Sequence, residues 1–378
     1  MRRTIIFVCI GVALLAGTLA GCKQVVGDEA KAQDTHSAQA ATVEGNPVFT
    51  PVMVDTPLEM VMAKPASSPG EFIVMCNNLE GPREALFNVL DVKLAGRTAS
   101  ITVLNSSAKR VSPDFLTSDG LLLDLDMDTA GVIDGIRQFK RSAYLLDATL
   151  TKRDDVTPVN YSEITQPVDA GTAKYSCSAL WDQEVGLVVS GWDTKNHVMK
   201  IWVGKNNLAE AGSVDGVLAN VKFYLNGRFT YGSVTQDGKL FAYDFRQHRF
   251  GHITEYDTIA SALSRTITAK EGKQVRCTLT KNFALYGNSQ QINLITSGGK
   301  VWSYNLVSSL DYRPNGDKRS ESEANELVEG RMRDLLKEEA AKLAPQFLSS
   351  HSQQIALGDD AIGMLDTLYS RLVVITVE

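Results

Sequence analysis

Three rhythms of apolar and polar residues follow one another along the chain. Residues 5–20 are apolar almost without a break. Residues 23 to about 70 are polar, Ala-rich and then proline-bearing, and from Glu71 onward apolar and polar positions alternate with a period near two. That alternation predicts half-buried β-strands. It is clearest over 219–246, where strands at 221–225, 228–235 and 239–245 are punctuated by Asn226-Gly227 and Asp237-Gly238. Both dipeptides supply the positive φ that two-residue hairpins require, so the stretch predicts a three-stranded meander.

The meander recurs. Residues 234–245 (VTQDGKLFAYDF) align without a gap on 295–306 (ITSGGKVWSYNL), and 223–227 corresponds to 283–287 one residue out of step. A fainter copy spans 116–126, and a looser one joins 188–190 to 198–203. The expected fold is mainly β, built of repeated antiparallel meanders of the kind that form propeller blades, with an α+β multi-sheet sandwich as the alternative. Residues 235–244 (TQDGKLFAYD) resemble the repeat of quinoprotein-type β-propellers. That family includes a lipoprotein, the propeller subunit of the outer-membrane barrel-assembly machinery. The likeness covers about a quarter of the chain, and the uneven spacing of the copies departs from a regular propeller repeat.

Near the C-terminus the period lengthens. Ser320 and Glu323 have capping-box spacing, and Leu327, Val328, Met332, Leu335, Leu336 and Leu343 then recur on one helical face, with Pro345 at its end. A second helix is expected around residues 360–369. Residues 371–377 read as a buried strand that closes the sheet begun near Glu71.

At the other end, Arg2 and Arg3 precede an apolar run of about 16 residues, which has the layout of a secretory leader and falls short of the roughly 20 residues of a membrane-spanning helix. The run ends in Leu19-Ala20-Gly21-Cys22, which resembles the lipobox of bacterial lipoproteins. The resemblance implies that the leader, residues 1–21, is removed and that Cys22 carries palmitate-type acyl chains on its sulfur and its new amino terminus. Lys23, in place of Asp, implies the outer membrane. Residues 22–70 then read as a flexible tether with a root-mean-square span of roughly 35–40 Å. The expected organisation continues with a β-rich domain over 71–312 and a helical segment plus closing strand over 313–378.

Composition narrows the function. The 378 residues are 44% hydrophobic and 22% charged, with a formal net charge of −6 that becomes more negative once Arg2 and Arg3 leave. No clustered basic surface for nucleic acid is expected. Of five cysteines, Cys9 lies in the leader and Cys22 is the lipid site. Cys76, Cys177 and Cys277 remain, and a Cys177–Cys277 disulfide is one reading in an oxidising compartment. Three buried thiols are the other.

Candidate chemistry is sparse. Four Gly-Lys pairs lack the following Ser or Thr of a phosphate loop. Residues 106–109 (SSAK) have only the spacing of a serine-enzyme motif. His248 and His252 lie four apart beside Asp244, Glu255 and Asp257, but on a hairpin rather than a helix. Residues 126–134 (DMDTAGVID) follow a calcium loop in part, with Ala130 lacking a ligand oxygen and Arg137 where a glutamate belongs. No metal or cofactor is expected. Trp202, Phe241 and Trp302 recur in third strands and suit inter-sheet packing. The favoured reading is a lipid-anchored binding or scaffold module among envelope proteins, facing the periplasm. One alternative is an envelope hydrolase or carbohydrate-active protein using Asp124, Asp126, Asp128 and Asp134. Another is a surface-exposed lipoprotein that binds a host or phage component.

Overall fold

The computed structural model describes residues 42–378 apart from short stretches, chiefly 79–86, 108–113, 117–121, 268–274 and 329–335. The leader, Cys22 and most of the proposed tether lie outside the described residues.

Strand β1 (Pro47–Met53) comes first. The next meander is β2 (Leu58–Pro65), β3 (Glu71–Asn78), β4 (Phe87–Ala95) and β5 (Thr98–Ser107). A second follows as β6 (Phe115–Leu116), β7 (Leu122–Ile133), β8 (Ile136–Leu146) and β9 (Val159–Asn160). After the turn α1 (Ser162–Thr165) and the small ribbon β10 (Pro167–Asp169) and β11 (Thr172–Ala173), a third comprises β12 (Ser176–Asp182), β13 (Gly186–Asp193), β14 (Val198–Gly204) and β15 (Ala209–Asp215). The fourth is β16 (Leu218–Leu225), β17 (Arg228–Val234), β18 (Leu240–Asp244) and β19 (Arg249–His252). Helix α2 (Asp257–Thr266) leads to the fifth: β20 (Arg276–Leu279), β21 (Phe283–Gly287), β22 (Gln291–Thr296) and β23 (Val301–Asn305). Helix α3 (Glu321–Val328) precedes β24 (Ser352–Ala356), β25 (Ile362–Asp366) and β26 (Arg371–Val377).

Among the described residues these strands make four separate four-stranded antiparallel sheets and one eight-stranded sheet, in which two further meanders join through the parallel neighbours β16 and β20. First strands touch around a ring. β2 meets β6, β6 meets β12, β16 meets β20, β20 meets β24, and β24 meets β2, while β13 bridges to β16. Sheets arranged radially about a common axis form a β-propeller. The sandwich alternative is not formed.

The last sheet has the order β1-β26-β25-β24, so the first and last described strands of the chain share it. This corrects the tether: 47–53 and 58–65 are strands of the folded body. It also corrects the C-terminal boundary, because β24–β26 complete the ring rather than stand apart from it. The closing strand expected at 371–377 is present, but its partner is β1 and not the strand at Glu71. The prolines that made 47–51 look like linker sit where a strand tolerates them. Asn46 and Glu378 exchange both backbone hydrogen bonds, at 2.8 and 3.1 Å. Alternation then aims the backbone nitrogens of residues 48, 50 and 52 at β26 and those of 47, 49 and 51 away from it. Pro47 and Pro51 therefore remove no ladder donor.

The repeat seen in sequence is a repeat in space. Thr235 N donates to Lys239 O at 2.9 Å and Gly238 N to Thr235 O at 3.0 Å. Thr296 N donates to Lys300 O at 3.0 Å and Gly299 N to Thr296 O at 2.8 Å. The first loop links the second and third strands of the fourth meander and the second links the third and fourth strands of the fifth, so the local repeat is offset by one strand between the two, with Gly238 and Gly299 at φ 78° and 86°. The Asp237-Gly238 loop is longer than the two-residue turn expected. Asn226-Gly227 does make that turn, with φ 55° and 78° between the paired Leu225 and Arg228.

The capping box forms: Glu323 N donates to Ser320 Oγ at 3.3 Å and Ser320 N to Glu323 Oε2 at 2.9 Å. Leu327 packs with Leu336 and Tyr369, whereas Val328 is 73% exposed and off the apolar face; Met332, Leu335 and Leu343 lie outside the described residues. The second helix expected at 360–369 is instead the strand β25 and the turn into β26. All five β25 residues are buried, and a short run buried on both faces carries no period to separate strand from helix.

Candidate functional site

Inside the ring lies a cavity of about 330 Å³, lined from five of the six meanders. Its polar groups are mainly cationic. Lys64, on β2, forms an ion pair with Asp114, whose other oxygen accepts from Leu125 N at 3.1 Å. Lys222, on β16, donates its ammonium to the carbonyl of Gln354 on β24 at 3.2 Å. Arg141, on β8, reaches the Tyr161 hydroxyl, while its Nε is buried without a hydrogen-bond partner. Among the described residues neither Lys222 nor Arg141 has a carboxylate within ion-pairing distance. Asp114 is the one carboxylate lining the cavity, and Lys64 already holds it.

The electrostatics follow from that imbalance. Burial, with Arg276 and then Lys64 nearby, lowers the Lys222 ammonium from 10.5 to about 8. Its partial accessibility is to the cavity, which explains how it can line a space and still be poorly hydrated. Burial raises Tyr161 to about 12 and Cys177 to about 11, and Arg141 opposes both. Burial therefore favours the thiol form of Cys177 at neutral pH.

Lys222 and Arg141 escape sequence reasoning. The available signal was a lysine inside β16, whose Val221 and Phe223 are buried on one face and Tyr224 on the other. A charge flanked by buried positions of both parities has no free solvent face to occupy.

A second pocket, of about 520 Å³, is bordered by Tyr161, Tyr175, Trp202 and Glu210. Tyr175 and Trp202 meet edge to face, 5.2 Å between centroids. The three recurring aromatics are not one ladder. Phe241 stacks on Phe250 and His252, and Trp302 lies under Lys300.

The carboxylates named for hydrolysis do not converge. Asp124, Asp126 and Asp128 lie along β7 and Asp134 is in its turn. Ten residues of strand separate the first from the last by roughly 33 Å. Lys152 bridges Asp124 and Asp126. The ladder holds the partial calcium motif extended, with Asp126 opposite Ser142 and Asp128 opposite Lys140, so it does not form a ligand loop. His252 Nε2 is 2.6 Å from Asp257, and His248 sits in the β18–β19 turn. Cys177 and Cys277 form no disulfide. They belong to different cores, Cys177 beside the cluster of the third meander and Cys277 in the one built around α2.

The β7–β8 hairpin extends beyond its sheet. β6 pairs β7 only through Leu123, and β9 pairs β8 only at Ser142 and Ala143. From there to the turn no strand among the described residues pairs with either outer edge; on β8 the Gln166 side chain holds Phe139 N–H and carbonyl and Ser162 Oγ accepts from Arg141 N, which leaves β7 as the open edge. Its exposed part carries Met127 (50%), Val132 (64%) and Ile133 (63%). Edge strand β5 similarly exposes Ile101, Val103 and Leu104.

These features define a β-propeller with an electropositive interior and apolar ribbon edges. No protein-family model matches the chain, and no curated protein matches it. Among solved structures it is similar to the WD40 domain of SCAP from fission yeast, at 9% identity and TM-score 0.26. The match covers 69% of this chain and 59% of that one. So loose a likeness adds nothing to the fold described above.

Proposed function

We propose that this propeller is a protein-interaction scaffold of the bacterial envelope, anchored by lipid on Cys22, and that the β7–β8 ribbon is its docking element. The observation that carries the docking role is the hairpin itself. Large apolar side chains sit at its exposed end, and the outer edge of β7 carries backbone donors and acceptors without a strand partner among the described residues. Open edges accept an added strand, and exposed apolar residues rimmed by polar ones mark protein contacts. The occupant that fits is an envelope protein offering an extended segment to the ribbon edge. Support for the anchor comes from the lipobox residues 19–22, and two or more acyl chains suffice for stable attachment.

Photocrosslinkers placed at 132 and 133 in intact cells are expected to capture one partner that a probe at the exposed Lys205 does not. The purified partner should then lose on the order of 30-fold in affinity for the Val132→Asp/Ile133→Asp variant, with no change in melting temperature. Equal capture at 205, or unchanged affinity, would sink the docking role. Separately, Cys22→Ser should move the protein from the membrane to the soluble fraction. Continued sedimentation with membranes would argue against acylation.

A further inference from the structure

We infer that the central cavity, which Lys222 and Arg141 both line, binds a small dianion of the phosphate or dicarboxylate type. This goes beyond the scaffold reading and does not depend on it.

Buried charges in proteins are paired or hydrogen-bonded, because an isolated one loses its hydration without compensation. Here two cations from different meanders share one space of about 330 Å³. Among the described residues Lys222 has only a backbone carbonyl for a partner, and the buried Arg141 Nε has none. The carboxylate that could neutralise them, Asp114, is committed to Lys64 and to the Leu125 amide. An oxyanion with two negative charges would balance the pair. A guanidinium accepts such an ion through parallel donors and an ammonium as a point charge. The cavity volume lies at the lower end of the range typical of small-molecule sites, which favours a compact ion over a polymer. Neutral donors are also present. The Tyr161 and Tyr231 hydroxyls and Ser178 line the same wall, and the Gln354 side chain is held by Thr278 Oγ1 at 3.1 Å.

Titration of the site is a second handle. The charged groups near Lys222 are Arg276 on β20 and Lys64 with its partner Asp114, while Arg141, Tyr161, Cys177 and Tyr231 line the same cavity. Tyr161 and Cys177 ionise well above the range in which Lys222 loses its proton. Binding should therefore weaken between pH 7.5 and 9.5, a range in which succinate keeps its double charge and phosphate only gains in it, so loss of binding reports Lys222 and not the probe.

The test is calorimetry on the full chain in a buffer free of phosphate, with inorganic phosphate, succinate and the neutral control glycerol. At pH 7.5 at least one dianion is expected to bind and glycerol is not. The stronger of the two identifies the ligand class. At pH 9.5 its affinity should fall at least about tenfold. Lys222→Met should abolish binding and its pH dependence, and Arg141→Gln should weaken it at least about tenfold. Melting curves establish that each variant is folded, and Arg141→Gln decides the matter if Lys222→Met is not. The proposal is overturned if neither dianion binds at 10 mM, a concentration on the order of the weakest affinities considered specific. It is equally overturned if folded variants bind as the parent does.

Discussion

Replacing Thr50 by proline is expected to open the ring. Thr50 faces Val374 in a pair that exchanges backbone hydrogen bonds, because it stands an even number of residues from the bonded pair of Asn46 and Glu378. Proline there removes a donor aimed at β26 and forces its ring toward the neighbouring strand, a loss of about 3 kcal/mol or more. The loss also falls at the seam. β1 is the only strand of the last sheet that comes from the other end of the described chain, and without it Val373, Val374 and Ile375 would line an open edge. A urea midpoint lowered accordingly, with cleavage by protease between β1 and β2, is the expected result. Pro51→Ala, one residue on, points its N–H outward and should change stability by less than about 0.5 kcal/mol. Equal effects at 50 and 51 would contradict the register.

Lys222→Met should stabilise the protein, and the gain should depend on pH in a defined sense. In the unfolded chain the ammonium titrates near 10.5, and in the folded protein near 8. Below pH 8 both states hold the proton, and the fold bears the whole cost of a charge short of water and counterion, about 3 kcal/mol for a shift of that size. Between pH 8 and 10.5 the folded protein releases a proton that the unfolded chain keeps, so wild-type stability gains on the variant as pH rises. The advantage of Lys222→Met is therefore largest at pH 7 and shrinks toward zero above 10.5. Urea titrations of both proteins at pH 7 and 9.5, without phosphate, measure it. A gap that is absent or independent of pH would mean that Lys222 is well hydrated. Added dianion should narrow the gap at pH 7 by stabilising only the parent, which links this result to the cavity.

Residues 235–244 and 295–304 show what a local signal can deliver. Their shared Thr, Gly and Lys write the same loop twice, because a glycine at positive φ and a threonine closing on a lysine carbonyl are properties of five consecutive residues. Asn226-Gly227 and the Ser320–Glu323 box were legible for the same reason. Residues 47–53 were misread because proline counts against a strand only when its missing donor faces a partner, and that partner lay more than 300 residues away. Residues 362–366 were misread because burial on both faces erases periodicity.

The candidate site divides along the same line. Each hairpin was visible in its own residues, and so was the leader-and-cysteine pattern, because turn chemistry and unbroken apolarity act over a few positions. No such pattern could reveal that Lys222 and Arg141 border one cavity while Cys177 and Cys277 belong to separate cores. Nor could it show that the four aspartates of β7 and its turn lie strung along a ribbon. Strands, turns and their repetition were readable along the chain, since backbone geometry answers to neighbours in the chain. How the ring closes, and which charges among the described residues are left without partners, emerge in three dimensions, since they depend on strands that distant residues bring side by side.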